Sequence, residues 1–278
     1  MIERYVSNHA DLLEELISAH IEEYEALKKQ PHDFGERLSL PEMEGPIREA
    51  VVETKHFLGM SEAPDVRWSV YDPKSIPLRS AKVGAITYLA TVVSLLAGGS
   101  SLEDAATNAL WFGLAFGGGA MAHLFREGFE TYYHPGEQKI HLSDLERISL
   151  SVDAAHEYTH HLQNTFSQTL AKNRMLGEGH AIGVDGAVAR LLSERYDNTA
   201  YTLYHLSRAR RHLRDAYQST RTAQGHEQKE SPIPQIDRFF RARHHTLGYA
   251  MMAIAEARYG TKIYRDVLED DFSFLANE

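Results

Sequence analysis

The sequence predicts an α+β protein that is mostly α, and three observations carry that expectation. Apolar residues recur at helical spacing over most of the chain, whereas only two short stretches, near 66–71 and 132–142, read as strands. Hydrophobic residues at 43% and charged residues at 24% are ordinary for a chain folding around a core. A length of 278 residues fits one large domain or two modest ones.

Residues 8–29 should form the first helix, with Leu12, Leu13, Leu16, Ile17, Ile21 and Leu27 as its apolar stripe. Residues 30–80 are broken by Pro31, Pro41, Pro46, Pro64, Pro73 and Pro77. A helix from about Pro46 to Leu58 fits there, because proline is tolerated in a first turn. Val66 to Tyr71 should follow as a short strand.

Two charge-free runs come next, Val83–Gly99 and Ala105–Phe125 with His123 neutral, joined by Ser100-Ser101-Leu102-Glu103-Asp104. So short a link predicts an antiparallel helical hairpin over 83–125. The weakly polar stripe of Thr87, Thr91 and Ser94 favours burial inside a helical protein. The alternative is membrane association: Arg79, Lys82 and Arg126 flank the outer ends, the link is acidic, and Gly113 and Gly117 permit close helix contact.

Tyr132 to Leu142 reads as a strand after a turn at His134-Pro135-Gly136. Asp144 to Thr165 reads as a helix with an interruption near Ser149-Leu150-Ser151 and a cap at Ser151 or Asp153. This helix carries His156-Glu157-Tyr158-Thr159-His160. Four residues apart on a helix, the two imidazoles share a face about 6 Å apart along the axis, which lets both reach one zinc ion. Glu157, one position on, is placed to act as general base.

The chain has no cysteine, so a zinc ion (Zn2+) must be held by His, Asp or Glu. A metzincin continuation would need glycine at 163 and histidine at 166, where Gln163 and Phe166 stand. Downstream, Met175-Leu176-Gly177-Glu178-Gly179-His180-Ala181 opens another helical pattern through Val184, Val188, Leu191 and Leu192. Glu178 follows His160 by enough chain for a turn and an antiparallel return. It is preferred to His180 as third ligand, because two histidines and a glutamate leave a fourth position for water.

The motif His156-Glu157-x-x-His160 with Leu176-Gly177-Glu178-Gly179-His180-Ala181 resembles the gluzincin (HExxH…E) metallopeptidases. A weaker likeness, ending at Tyr259-Gly260, is to the group called peptidase MA-like. The resemblance covers about residues 130–195 directly. It implies a zincin-like fold with a small strand-edged upper subdomain, an active-site helix and a helical lower subdomain. On this chain these map to 61–165 and 166–278, after an N-terminal helical region at 1–60. It also implies a zinc-dependent hydrolase acting on a peptide or protein substrate, with a Tyr or His from a later helix stabilising the oxyanion. His245 and Tyr249, four apart on the last helical run Arg243–Tyr259, are the residues at that place. The family pattern has tyrosine about where His245 stands.

A ligand histidine usually donates its second N–H to a carboxylate or carbonyl. Asp185, seven residues after Glu178 and on the same face, and Asp153 are the candidates. His161 points away from the metal side and reads as structural. Arg208, Arg210, Arg211, Arg214 and Arg221 read as a solvated helix face, or as anchors for a substrate carboxylate. A net charge of −10 argues against nucleic-acid binding. Gln224 to Pro234 should be a polar lid or linker. The cysteine-free composition and a start without a basic, apolar leader suit a cytoplasmic protein, with membrane attachment through 83–125 as the alternative.

Overall fold

The computed structural model describes the chain except for residues 1, 36, 71–75, 100, 102–103, 105, 115–130, 144–145, 224–235 and 277–278; for 76–84, 222–223, 236–243 and 276 it describes the backbone alone. The expectations for residues 115–125 and for the polar loop at 224–234 therefore lie outside the described residues. In chain order the elements begin with α1 (Ile2–Asn8), α2 (Ala10–Leu27), a 3-10 turn (Leu40–Met43), α3 (Glu44–Phe57), β1 (Arg67–Val70), α4 (Ile76–Ala97) and α5 (106–114). Then come β2 (Tyr132–His134), β3 (Lys139–Leu142), α6 (Arg147–Phe166), α7 (Gln168–Lys172), α8 (Arg174–Tyr196), α9 (Ala200–Ala223), α10 (Ile236–Tyr259), α11 (Ile263–Leu268) and α12 (Ser273–Ala276).

The protein is thus α+β and mostly helical, with one small mixed sheet of order β1-β3-β2. The stretch 132–142 is two strands rather than one. Pro135 and Gly136 sit inside it, and the turn closes through Glu137 N–H to His134 O and Gln138 N–H to Pro135 O. Gln138 takes φ +48°, which completes the reversal.

The chain divides into two compact units, one of Met1–Arg67, Tyr133–Ile140 and Leu145–Glu278, the other of Trp68–Tyr132 and His141–Asp144. The first is a helical assembly centred on α8, which packs against α3, α6, α9 and α10. Surrounded in this way, α8 is buried along most of its length, through Leu176, Ile182, Val184, Val188 and Leu192. Its glycines cost helix propensity in isolation, roughly 1 kcal/mol each, and are compensated by the close neighbours they admit. At Gly179 an added Cβ would lie 2.1 Å from the backbone of Gly248 on α10, and at Gly248 one would lie 2.0 Å from Met175 O on α8. Backbone therefore meets backbone where these two helices cross.

Helix α6 runs unbroken from Arg147. Ser149 and Ser151 neither interrupt nor cap it; their hydroxyls donate to Glu146 O at 3.2 Å and Arg147 O at 2.9 Å, which satisfies them inside the helix. Asp153 is no cap either, since it accepts from Arg208 Nη1 at 2.7 Å. That contact ties one arginine of the expected solvated face to α6.

The second unit corrects a larger expectation. In its described part, the apolar stretch of 83–125 is not a buried hairpin. Ile86, Leu89, Val93 and Leu96 of α4 and Leu110, Trp111, Phe112 and Leu114 of α5 are all exposed. Sequence alone misses this because a charge-free run reads the same wherever it ends up. Among the described residues no helix is long and apolar enough to cross a membrane.

Candidate metal centre

The first unit brings three helices to one point. His156 and His160 project from the same face of α6. The chain then leaves α6 at Ser167, whose hydroxyl accepts from Leu170 N–H and starts α7. At Asn173, whose side chain accepts from Leu176 N–H, it starts α8. These two capped turns reverse the direction and return Glu178 to the histidines.

Nε2 of His156 lies 3.2 Å from Nε2 of His160, and each is 3.5 Å from Oε2 of Glu178. A triangle with these sides has its centre about 2.0 Å from each corner, close to the bond lengths of about 2.0–2.2 Å that zinc keeps to imidazole and carboxylate. The three residues form a group able to hold a metal ion.

The surrounding hydrogen bonds fix which nitrogens face this point. Asp185 Oδ2 lies 2.9 Å from His156 Nδ1, and Asp185 Oδ1 lies 2.6 Å from His205 Nδ1 on α9. Burial would raise the Asp185 carboxyl, but His205 and His156 outweigh it and hold it well below the usual carboxylate range. An ionised carboxylate only accepts, so His156 Nδ1 carries a proton and Nε2 is the nitrogen that can bind.

Gln163 does the same for His160. Its Nε2 donates to Gly177 O at 2.8 Å, so its Oε1 is the atom 2.8 Å from His160 Nδ1, and that nitrogen must donate. Gln163 Nε2 also donates to His180 Nδ1 at 3.0 Å, while His180 Nε2–H donates to Tyr264 O at 2.8 Å. Both ring nitrogens of His180 are thereby used, and burial lowers its pKa to about 4. His180 is a neutral prop for Gln163 with both nitrogens engaged, and the group able to hold a metal takes in Glu178 and not His180. Gly177 belongs to the same arrangement, since a Cβ there would press to 3.1 Å from both Gln163 Oε1 and Leu170 O.

Glu157 is 6% exposed, and burial raises its carboxyl pKa against the lowering influence of His156 and His160. Burial also opposes charge on His156, yet its hydrogen bonds to Asp185 and Glu178 raise its pKa well above the ordinary value. Glu178 is likewise held well below the carboxylate range: burial opposes this, and His156, His160 and His245 overcome it.

His245, on α10, lies with Nε2 3.0 Å from Glu178 Oε2, its ring stacked on His212. Tyr249 is directed elsewhere. His20 Nδ1 donates to Leu16 O, so its Nε2 accepts from the Tyr249 hydroxyl at 3.1 Å, and the Tyr249 ring packs on His205. His161 is buried between Tyr133, whose hydroxyl is 3.0 Å from Nδ1, and the ring of Tyr158. Of the two carboxylates considered as supports for a ligand histidine, Asp185 has that contact and Asp153 is engaged by Arg208.

Two supporting residues, Gln163 and His205, escape the sequence reading. Gln163 had a signal, because position i+3 from His160 lies on the same helical face. His205 had none, since only the folded chain brings α9 to Asp185. Comparison of the chain with protein-family models, with curated proteins and with solved structures gave no match, so the likeness to gluzincins rests on the motif residues and this geometry.

Proposed function

We propose that this chain is a zinc-dependent peptidase of gluzincin type. The observation that carries the reading is the His156–His160–Glu178 triangle with both imidazole Nε2 atoms turned toward it and Glu157 beside it on α6. His156, His160 and Glu178 would hold the ion. Zinc supplies Lewis acidity, polarising a carbonyl and lowering the pKa of a water to about 7. Asp185 and Gln163 keep the two histidines in the binding tautomer and orientation. Glu157, with its pKa raised by burial, takes a proton from the attacking water and passes it to the departing amine. His245, whose Nε2 lies 3.0 Å from Glu178 Oε2, would turn to donate to the oxygen that becomes negative on the substrate carbonyl. Tyr249 supports the site at one remove, with its hydroxyl hydrogen committed to His20.

One observation favours a second reading. His245 Nε2 pairs with Glu178 Oε2 at 3.0 Å, outside the three-residue group; were it to swing onto the ion, a site closed by four protein ligands would be structural. The two readings separate in one experiment. The protein is tested on a mixed peptide library with and without a chelator, alongside His245→Ala. Peptidase activity that the chelator abolishes and added zinc restores supports the first reading, as does a His245→Ala protein that keeps its metal while losing roughly 10²–10³ in turnover. An inactive parent protein, with metal lost from His245→Ala, supports the structural one.

A further inference from the structure

We propose that the exposed apolar helices of the second unit, residues 85–97 of α4 and 106–114 of α5, embed in the apolar layer of a lipid membrane. The inference concerns this unit alone and stands apart from the peptidase reading. Every described side chain from Ala85 to Ala97 is exposed or half-exposed, and not one is buried. Ile86, Leu89 and Val93 are 67%, 61% and 66% exposed, and Trp111 on α5 is 69% exposed. Neither segment contains a charged residue on any face.

That last property selects the occupant. A helix that docks on a protein partner, or lies in the headgroup plane, is apolar on one side and polar or charged on the other. The polar groups are limited to Thr87, Tyr88, Thr91 and Ser94 on α4 and Thr107 and Asn108 on α5. Helices so largely apolar and uncharged belong either in a protein core or in lipid, and the exposure of most of their side chains, Ala109 and Gly113 apart, argues against the core. The sequence agrees: Arg79 and Lys82 precede the apolar stretch and Arg126 follows it, a flanking charge pattern suited to anionic headgroups.

Internal hydrogen bonding suits an apolar medium as well, where unpaired polar groups are costly. Thr91 Oγ1 donates to Thr87 O at 2.8 Å, and the end of α4 is closed by Gly98 N–H to Ser94 O and Gly99 N–H to Leu96 O. Beyond it, Ser101 and Asp104 bond each other through the Ser101 hydroxyl and the Asp104 N–H and carboxylate. Embedding of this kind does not require either described segment to traverse the bilayer.

The test uses the full chain and vesicles of four parts phosphatidylcholine to one part phosphatidylglycerol. The protein should float with the vesicles in a density gradient and stay with them in one molar salt. The double variant Leu89→Glu/Val93→Glu should lose at least about tenfold in vesicle partitioning. Its metal content reports separately on the first unit. A second measurement does not depend on that variant: in a Trp68→Phe background, Trp111 fluorescence should shift to the blue on vesicle addition and be quenched by brominated lipid. Protein that stays soluble beside vesicles overturns the proposal. So does flotation that the double variant leaves intact. A soluble dimer or larger assembly that the double variant dissociates also overturns it, and assigns the face to a second copy of the chain.

Discussion

Helix α6 and the segment 85–97 of α4 break the same rule in opposite directions. In α6, His156, Glu157, His161 and Gln163 are buried; in α4, Ile86, Leu89 and Val93 face outward. Globular proteins ordinarily arrange these residue types the other way. On α6 much of the inversion is compensated locally: His156 bonds to Asp185, Gln163 to Gly177 and His180, and His161 Nδ1 to Tyr133, while His161 Nε2 has no hydrogen-bond partner among the described residues. On α4 the described residues show no such compensation, and the cost remains until something apolar covers them. On the readings proposed above, the first departure marks chemistry that needs to be dry, and the second a surface that needs an environment other than water.

The sharpest way to break this comparison is to empty the centre. With His156→Ala, elemental analysis should find metal falling from about one ion per chain to none, while Glu157→Gln keeps its metal and loses roughly 10²–10⁴ in turnover. Unchanged metal in the first variant, or equal metal loss in both, removes the division of roles between these neighbours.

A smaller effect is expected one step out from the ligands. Gln163→Leu preserves bulk but leaves His160 Nδ1 without its acceptor, so chelator competition should show metal affinity lower by about 10–100-fold. Affinity equal to the parent's would mean that the Gln163–His180–Tyr264 chain serves packing alone.

The smallest effect compares the two helices directly. Glu157→Leu exchanges a buried carboxylate for an apolar side chain. In urea unfolding of metal-free protein it should gain about 0.5–2 kcal/mol while abolishing turnover. Leu89→Glu, on the exposed helix, should stay within about 0.5 kcal/mol of the parent. A strongly destabilised Leu89→Glu protein would show that α4 is covered by protein after all.

How much of this could be read from the sequence follows from how local each signal is. The α6 motif was legible because its chemistry lies in a four-residue spacing that any α-helix converts into a shared face. Glu178 and Asp185 were legible for a similar reason, being two turns apart on one helix. The strand pair was misread because a Pro-Gly turn inside an alternating stretch looks like a turn beside it. His205 and the Gly179–Gly248 crossing were invisible, since each joins elements that meet only when the chain has folded. The exposure of α4 was the hardest of all, because an uncharged run says that water is disfavoured without saying what replaces it.

The crossing of α8 and α10 has a consequence for anyone moving this centre onto another scaffold. Glu178 is the residue before Gly179, and His245 lies three before Gly248, so their 3.0 Å separation is referenced to a contact between two main chains. Ordinary helix pairs keep their axes about 8–10 Å apart, a spacing set by side chains that repacking can adjust. Here there is no side chain to trim or rotate. The quantity to copy is an axis-to-axis distance, and a host whose helices stand at the usual separation would carry every one of these residues and still hold them apart.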